Sequence, residues 1–223
     1  MGNSTMGAMI YEDSLQQVGK HTIKNEWWQA HGVTVVRLRF DGNHEPVPVS
    51  FGDYYRDGSN VVIDSKRDIA EVAKNINGRN HRRFRNECVR ARDAGYRLVI
   101  LVENRDNVHD LADLRSWMND HCRACNNRRR IGCNPNDGAK CPRHNTRKPI
   151  QGARLALAMS TMSERYGVVF EFCKPSESAR RICELLGVSY EQDAGSGAET
   201  SRARAENTPD TARDEDTRHA ARR

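Results

Sequence analysis

Asp53 and the triplet Asp64-Ser65-Lys66 set two carboxylates and an ammonium on either side of a short, turn-rich segment. Such a set can bind a divalent metal, activate water and offset charge on phosphorus, which is what phosphodiester hydrolysis requires. Side chains alternate along a strand, so Asp64 and Lys66 share one face while Val61 and Ile63 point to the opposite, buried face. Arg56-Asp57-Gly58-Ser59-Asn60 carries an Asp-Gly hairpin signal that folds Asp53 back towards Asp64. Mg²⁺ (or Mn²⁺) takes one or two carboxylates, with waters and substrate phosphate completing its shell. Asp53 and Asp64 are therefore the expected metal ligands, with the Ser65 carbonyl as a third oxygen. Lys66 holds or deprotonates the attacking water. The plainer reading makes Asp53 a turn residue and Asp64/Lys66 an exposed cross-strand pair, because D-x-K is a frequent chance pattern.

The elements that must position these residues are legible along the chain. Ala8-Met9-Ile10-Tyr11 is a first strand, followed by a helix over 22–31 that carries Ile23, Trp27 and Trp28 and stops at Gly32. One of the two tryptophans anchors that helix in the core. Val33 to Phe40 is a β-branched strand, Val47 to Tyr54 its neighbour, and Val61 to Lys66 the return strand of the hairpin. Asp68 caps a helix with Ile69, Val72, Ala73 and Ile76 on one face. Asn80 to Ala94 is a second helix, with Phe84, Cys88 and Ala91 inward and Gly95 as its stop. Leu98 to Val102 reads as a strand covered on both faces. A helix with Val108, Leu111, Leu114 and Trp117 follows. Beyond an interruption come a helix with Leu155, Met159, Met162 and Tyr166, a strand from Val168 to Phe172, and a last helix over 175–186. The fold class is α/β with a mixed sheet.

The interruption, residues 121–149, is a second candidate site. Cys122-x2-Cys125-x7-Cys133-x7-Cys141-x2-His144 offers four thiolates and an imidazole among turn-forming Gly, Pro, Asn and Asp residues. Tetrahedral Zn²⁺ needs four such ligands, and C-x2-C is a usual starting knuckle. Cys122, Cys125, Cys133 and Cys141 are the first choice and His144 the alternate, giving a zinc-ribbon or knuckle-like insert with a structural ion. From His121 to Lys148 there are eight Lys and Arg against one acid, Asp137. A patch so basic points to a polyanion. Arg128, Arg129, Arg130, Lys140, Arg143, Arg147 and Lys148 are its expected backbone contacts, joined by Arg82, Arg83 and Arg85 beside the carboxylates. The plainer reading is a solvated arginine-rich loop with incidental thiols. Cys88, Cys173 and Cys183 are core residues.

The order of motifs resembles the XPF-type nuclease domain of the PD-(D/E)xK superfamily, in the small stand-alone form carried by phages and prophages. The family pattern is D-x-R-E, then G-D-F/Y, then E-R-K. Asp13-Ser14-Leu15-Gln16, Gly52-Asp53-Tyr54 and Asp64-Ser65-Lys66 stand in those places, and the helix from His81 to Glu87 fits the family's next helix. The resemblance implies a restriction-endonuclease-like sheet flanked by helices over 8–187, and a homodimer. It also implies a Mg²⁺-dependent endodeoxyribonuclease acting on branched, flapped or junction DNA in repair or recombination. Asp13 then assists catalysis, and Glu87 supports the site. Leu15 and Gln16 depart from the pattern, removing an Arg and a Glu.

From Glu191 to Arg223 there is no Leu, Ile, Val, Phe or Trp, so this charged tail cannot bury enough apolar surface to fold and is expected to be disordered. Seven cysteines, an odd number, with no secretory or membrane-spanning run, indicate a cytoplasmic protein with no membrane partner. Two other functions compete with the nuclease: a non-catalytic DNA-binding subunit or adaptor of nuclease-like fold, and a zinc-dependent regulator.

Overall fold

Six strands lie in the order β2-β1-β3-β4-β5-β6 in a computed structural model of the chain. It describes residues 8–16, 22–43, 45–126, 132–137, 139–144 and 147–191. The chain divides into two units, Met1–Glu191 and Gln192–Arg223, and the second lies outside the described residues. The tail expectation therefore falls outside them too, except for Glu191. Its N–H donates to the His31 carbonyl (3.1 Å), so Glu191 belongs to the first unit. Among the described residues no helix is long and apolar enough to cross a membrane.

β1 (Met9–Asp13) runs parallel to β2 (Thr34–Leu38) and antiparallel to β3 (Tyr54–Tyr55), which is antiparallel to β4 (Val61–Lys66). β4, β5 (Arg97–Glu103) and β6 (Val169–Cys173) are mutually parallel neighbours. The sheet is thus mixed, as expected. Residues 47–53 do not form a strand beside β2; only Tyr54 and Tyr55 are regular, and they pair with β1 and β4. Pro46 and Pro48 lack the N–H groups that a ladder would need. Val47, Val49 and Phe51 are still buried, as an irregular segment under the helices.

α2 (Ile69–Asn77), α3 (His81–Asp93) and α6 (Gly152–Tyr166) cover one face of the sheet, packing on Val62, Leu98, Ile100 and Val102. α1 (Thr22–Ala30) and α7 (Ser178–Leu186) cover the other, against Ile10, Tyr54, Ile63, Val99 and Leu101. Trp28 anchors α1, its Nε1–H donating to the Ala179 carbonyl (3.1 Å). Asp68 caps α2 by accepting from the Glu71 N–H (2.7 Å). The helix expected through Trp117 shrinks to one turn, α4 (Leu111–Leu114), capped by Asp110. Trp117 instead donates from Nε1 to Asp106 (3.0 Å) in the following loop. α6 docks closely on α4: a Cβ on Gly152 would stand 1.9 Å from the Leu114 carbonyl oxygen. A second short helix, α5 (Asp120–Arg123), opens the cysteine-rich insert.

Candidate active site

β4 supplies Asp64 and Lys66 on the face that looks towards α2 and α3, the same face as Val62. They are not an exposed pair, for Asp64 is 4% exposed and Lys66 8%. Lys66 Nζ lies 2.6 Å from Asp64 Oδ1 and 5.8 Å from the centre of the Phe84 ring of α3. Asp64 Oδ2 is also buried, and no group among the described residues hydrogen-bonds to it. A buried carboxylate oxygen left without a donor costs free energy unless a cation or water meets it.

The turn just before β3 brings Asp53 alongside. Its own N–H donates to the Ile63 carbonyl (2.7 Å) and its carbonyl accepts from the Asp13 N–H (2.9 Å), so its backbone joins β4 to β1. Oδ2 of its side chain accepts from the Ser65 N–H (2.8 Å) and Oγ–H (2.9 Å), while Oδ1 accepts from the Gln16 side-chain amide. Burial, then the nearby Asp64 carboxylate, push Asp53 up to about 7. Glu87 of α3 accepts from the Gly52 N–H (3.1 Å) and is likewise raised, by burial and then Asp64. Burial works against the Lys66 ammonium, but Asp64 and Asp53 outweigh it and hold the amine above its ordinary value. With no cation bound, its charged form is thus the favoured one.

These groups open onto one groove of about 890 Å³, which Asp13, Arg83, Arg90 and Lys74 also line. Asp13 is held by accepting from the Leu15 N–H (3.2 Å) and the Phe40 N–H (3.3 Å). Leu15 is 63% exposed and carries no polar group into the groove. Arg82 and Arg85 lie on the exposed side of α3 and do not line it. In the insert, Lys140, Arg143 and Arg147 are exposed, whereas Lys148 is engaged by Asp137 and by the Asn134 carbonyl (2.7 Å). Arg128, Arg129 and Arg130 lie outside the described residues.

Among solved structures, the chain is similar to XPF from Aeropyrum pernix in complex with DNA. Identity is 15% and the TM-score 0.46, over 81% of this chain and 64% of that one, so the chain spans less than two thirds of that protein's length. No protein-family model and no curated protein matches the chain.

Three participants escaped sequence reasoning. Gln16 reads as the loss of an acid, yet its amide reaches Asp53. Lys24 and Glu103 form a buried ion pair at the far side of the groove, where Ser178 Oγ–H also donates to Glu103 (2.8 Å). A signal for Lys24 existed, because it stands four residues before the buried Trp28 and so shares its helix face.

Among the described residues no three His, Cys, Asp or Glu side chains stand together closely enough to hold a metal by themselves. Mg²⁺ does not need three, since it commonly keeps several waters and takes only one or two carboxylates. The unpartnered Asp64 Oδ2 and the mutually repelling Asp53 and Asp64 carboxylates fit a divalent cation.

Proposed function

We propose that the chain is a metal-dependent DNA endonuclease hydrolysing phosphodiester bonds, selective for branched, flapped or junction DNA. Asp64 carries this reading. One of its oxygens is neutralised by Lys66, and the other is buried with no donor among the described residues, in a residue that lines the groove. The order of Gly52-Asp53-Tyr54 and Asp64-Ser65-Lys66, resembling the XPF-type pattern, supports both the chemistry and the DNA substrate.

A bound Mg²⁺ or Mn²⁺ supplies Lewis acidity at the phosphate and lowers the pKa of a bound water. Asp53 and Asp64 would hold it, Asp53 being fixed in orientation by Ser65 and Gln16. Lys66 donates to the attacking water and offsets negative charge growing on the phosphate oxygens. Water oxygen forms the new bond to phosphorus as it gives up a proton, the bond to the leaving oxygen breaks, and that oxygen takes up a proton from solvent to leave as the alcohol. Glu87, whose carboxyl burial and Asp64 push towards neutrality, is set to receive the attacking water's proton. Arg83, Arg90 and Lys74 place cations along a groove otherwise rich in carboxylates, as backbone binding without base readout requires.

The test is cleavage of flap, fork, Holliday-junction and linear DNAs by the purified chain with and without Mg²⁺. Metal-dependent cutting of the branched substrates, lost in Asp64→Asn, is expected. Binding to those substrates with no cutting under any metal would replace this reading with the non-catalytic subunit.

A further inference from the structure

The cysteine-rich insert is pinned at several points that have no part in the carboxylate site. Lys140 and Arg147 form an isolated antiparallel bridge, and Arg123 Nη1 lies 3.1 Å from Asp106 Oδ1. Between these points the thiols of Cys122, Cys125, Cys133 and Cys141 border one small cavity of about 60 Å³. None is engaged in a disulfide. Cys122 opens a C-x2-C turn in which the Cys125 N–H donates to the Cys122 carbonyl (3.3 Å). Cys141 opens its counterpart, in which the His144 N–H donates to the Cys141 carbonyl at the same distance. Both turns border that cavity, and a C-x2-C turn is a usual starting element of a tetrahedral zinc site.

We propose that the insert holds one structural Zn²⁺ through the thiolates of Cys122, Cys125, Cys133 and Cys141. The side chain of Gln151 supports it. At 4% exposure, that residue directs an Nε2–H to Cys122 Sγ (3.3 Å). A neutral thiol is a weak acceptor, whereas a metal-bound thiolate is oriented and stabilised by such a donor. Residues Cys122, Cys125, Cys133 and Cys141 border the same cavity, and a dication offsets the mutual repulsion of thiolates gathered in one place. Charge also favours four sulfurs over three with His144. A zinc tetrathiolate carries two negative charges, and the sequence from His121 to Lys148 holds eight Lys and Arg against one acid. Lys148 borders the same cavity. In the arrangement described no three of the ligands are at binding distance. Coordination draws them inward, each thiol giving up its proton to solvent as its sulfur binds the ion.

Metal analysis of the full chain, purified in reductant without added zinc, tests this independently of any cleavage. About one zinc per chain is expected. Replacement by Co²⁺ is expected to give intense tetrahedral d–d bands and near-ultraviolet sulfur-to-cobalt charge transfer. Cys133→Ser is expected to lose the ion and His144→Ala to keep it, with the far-ultraviolet circular dichroism of the sheet domain retained in both. A mere trace of zinc in the wild type overturns the site. Retention in Cys133→Ser with loss in His144→Ala overturns the ligand set.

Discussion

Lys66 neutralises one oxygen of Asp64 at 2.6 Å, and the other oxygen of the same carboxylate is buried with no hydrogen-bond donor among the described residues. On the proposed reading, a divalent cation would complete this arrangement. Asp64→Asn keeps the shape and removes the charge. It should lower metal-dependent cleavage by about 100-fold or more. Mg²⁺ is expected to raise the Tm of the wild type, and Asp64→Asn to abolish that rise, read by thermal denaturation. Lys66→Ala is a harsher change. It leaves Asp64 as a buried, unpaired charge and should cost about 3 kcal/mol of stability beside the lost activity. An unaltered Mg²⁺ response in Asp64→Asn would place the ion elsewhere.

Stability without metal should depend on pH through Asp53. Its carboxyl rises from 3.8 to about 7 in the folded chain, by burial first and Asp64 second. Between these values the folded protein holds a proton that the unfolded chain has released. Unfolding then releases protons, and stability falls as pH rises. The contribution is complete below the unfolded value and gone once pH passes the folded one. Metal-free Tm is expected to decline as pH rises from about 4 to about 7, and Asp53→Asn to flatten the decline. Mg²⁺, by favouring the ionised carboxylate, should restore Tm most at the upper end. A wild-type profile that matches Asp53→Asn would refute the assignment.

Much of this site was legible because its residues sit in elements with strong local signals. β4 reads from alternation, α2 from its Asp68 cap and apolar stripe, and α3 from Phe84, Cys88 and Ala91. What failed was non-local. Nothing in the sequence places β3 between β1 and β4, and the prolines that break 47–53 were outweighed by its valines. Gln16 on Asp53 spans 37 residues and Ser178 on Glu103 spans 75, so no periodicity reports either. The insert's cysteine spacing could be read from the sequence, whereas the Gln151 contact with Cys122 emerged only from packing.

Gly52 fixes the approach of Asp53 to β4. Its φ is 76°, a region that side chains with a Cβ rarely adopt. An added Cβ would stand 2.3 Å from Val62 Cγ1 and 3.0 Å from the Ile63 carbonyl oxygen. Gly52→Ala should therefore destabilise by about 2 kcal/mol, through backbone strain and forced movement of β4. The same shift displaces Asp53 and loosens the Gly52 N–H to Glu87 contact, so cleavage should fall further than stability alone explains. Chemical denaturation and single-turnover cleavage at a temperature where both proteins are folded separate the two effects.

Phosphate contacts should extend from the groove to the insert along α2. Lys74 lines the groove, and Asn77 lines a smaller cavity shared with Arg147 and Arg154. Three residues of helix rise only about 4.5 Å, so one nucleic-acid backbone can pass from Arg83 and Lys74 to Arg147. Arg83→Glu and Arg147→Glu should each weaken DNA binding about equally across sequences, and each should reduce the slope of log affinity against log salt by about 1. Arg82→Glu, on the exposed side of α3 away from the groove, should change the slope much less. Titrations at several salt concentrations, with catalysis blocked by omitting divalent metal, give the slopes directly. If Arg82→Glu lowers the slope as much as Arg83→Glu, the DNA lies over the outer face of α3 instead of along the groove.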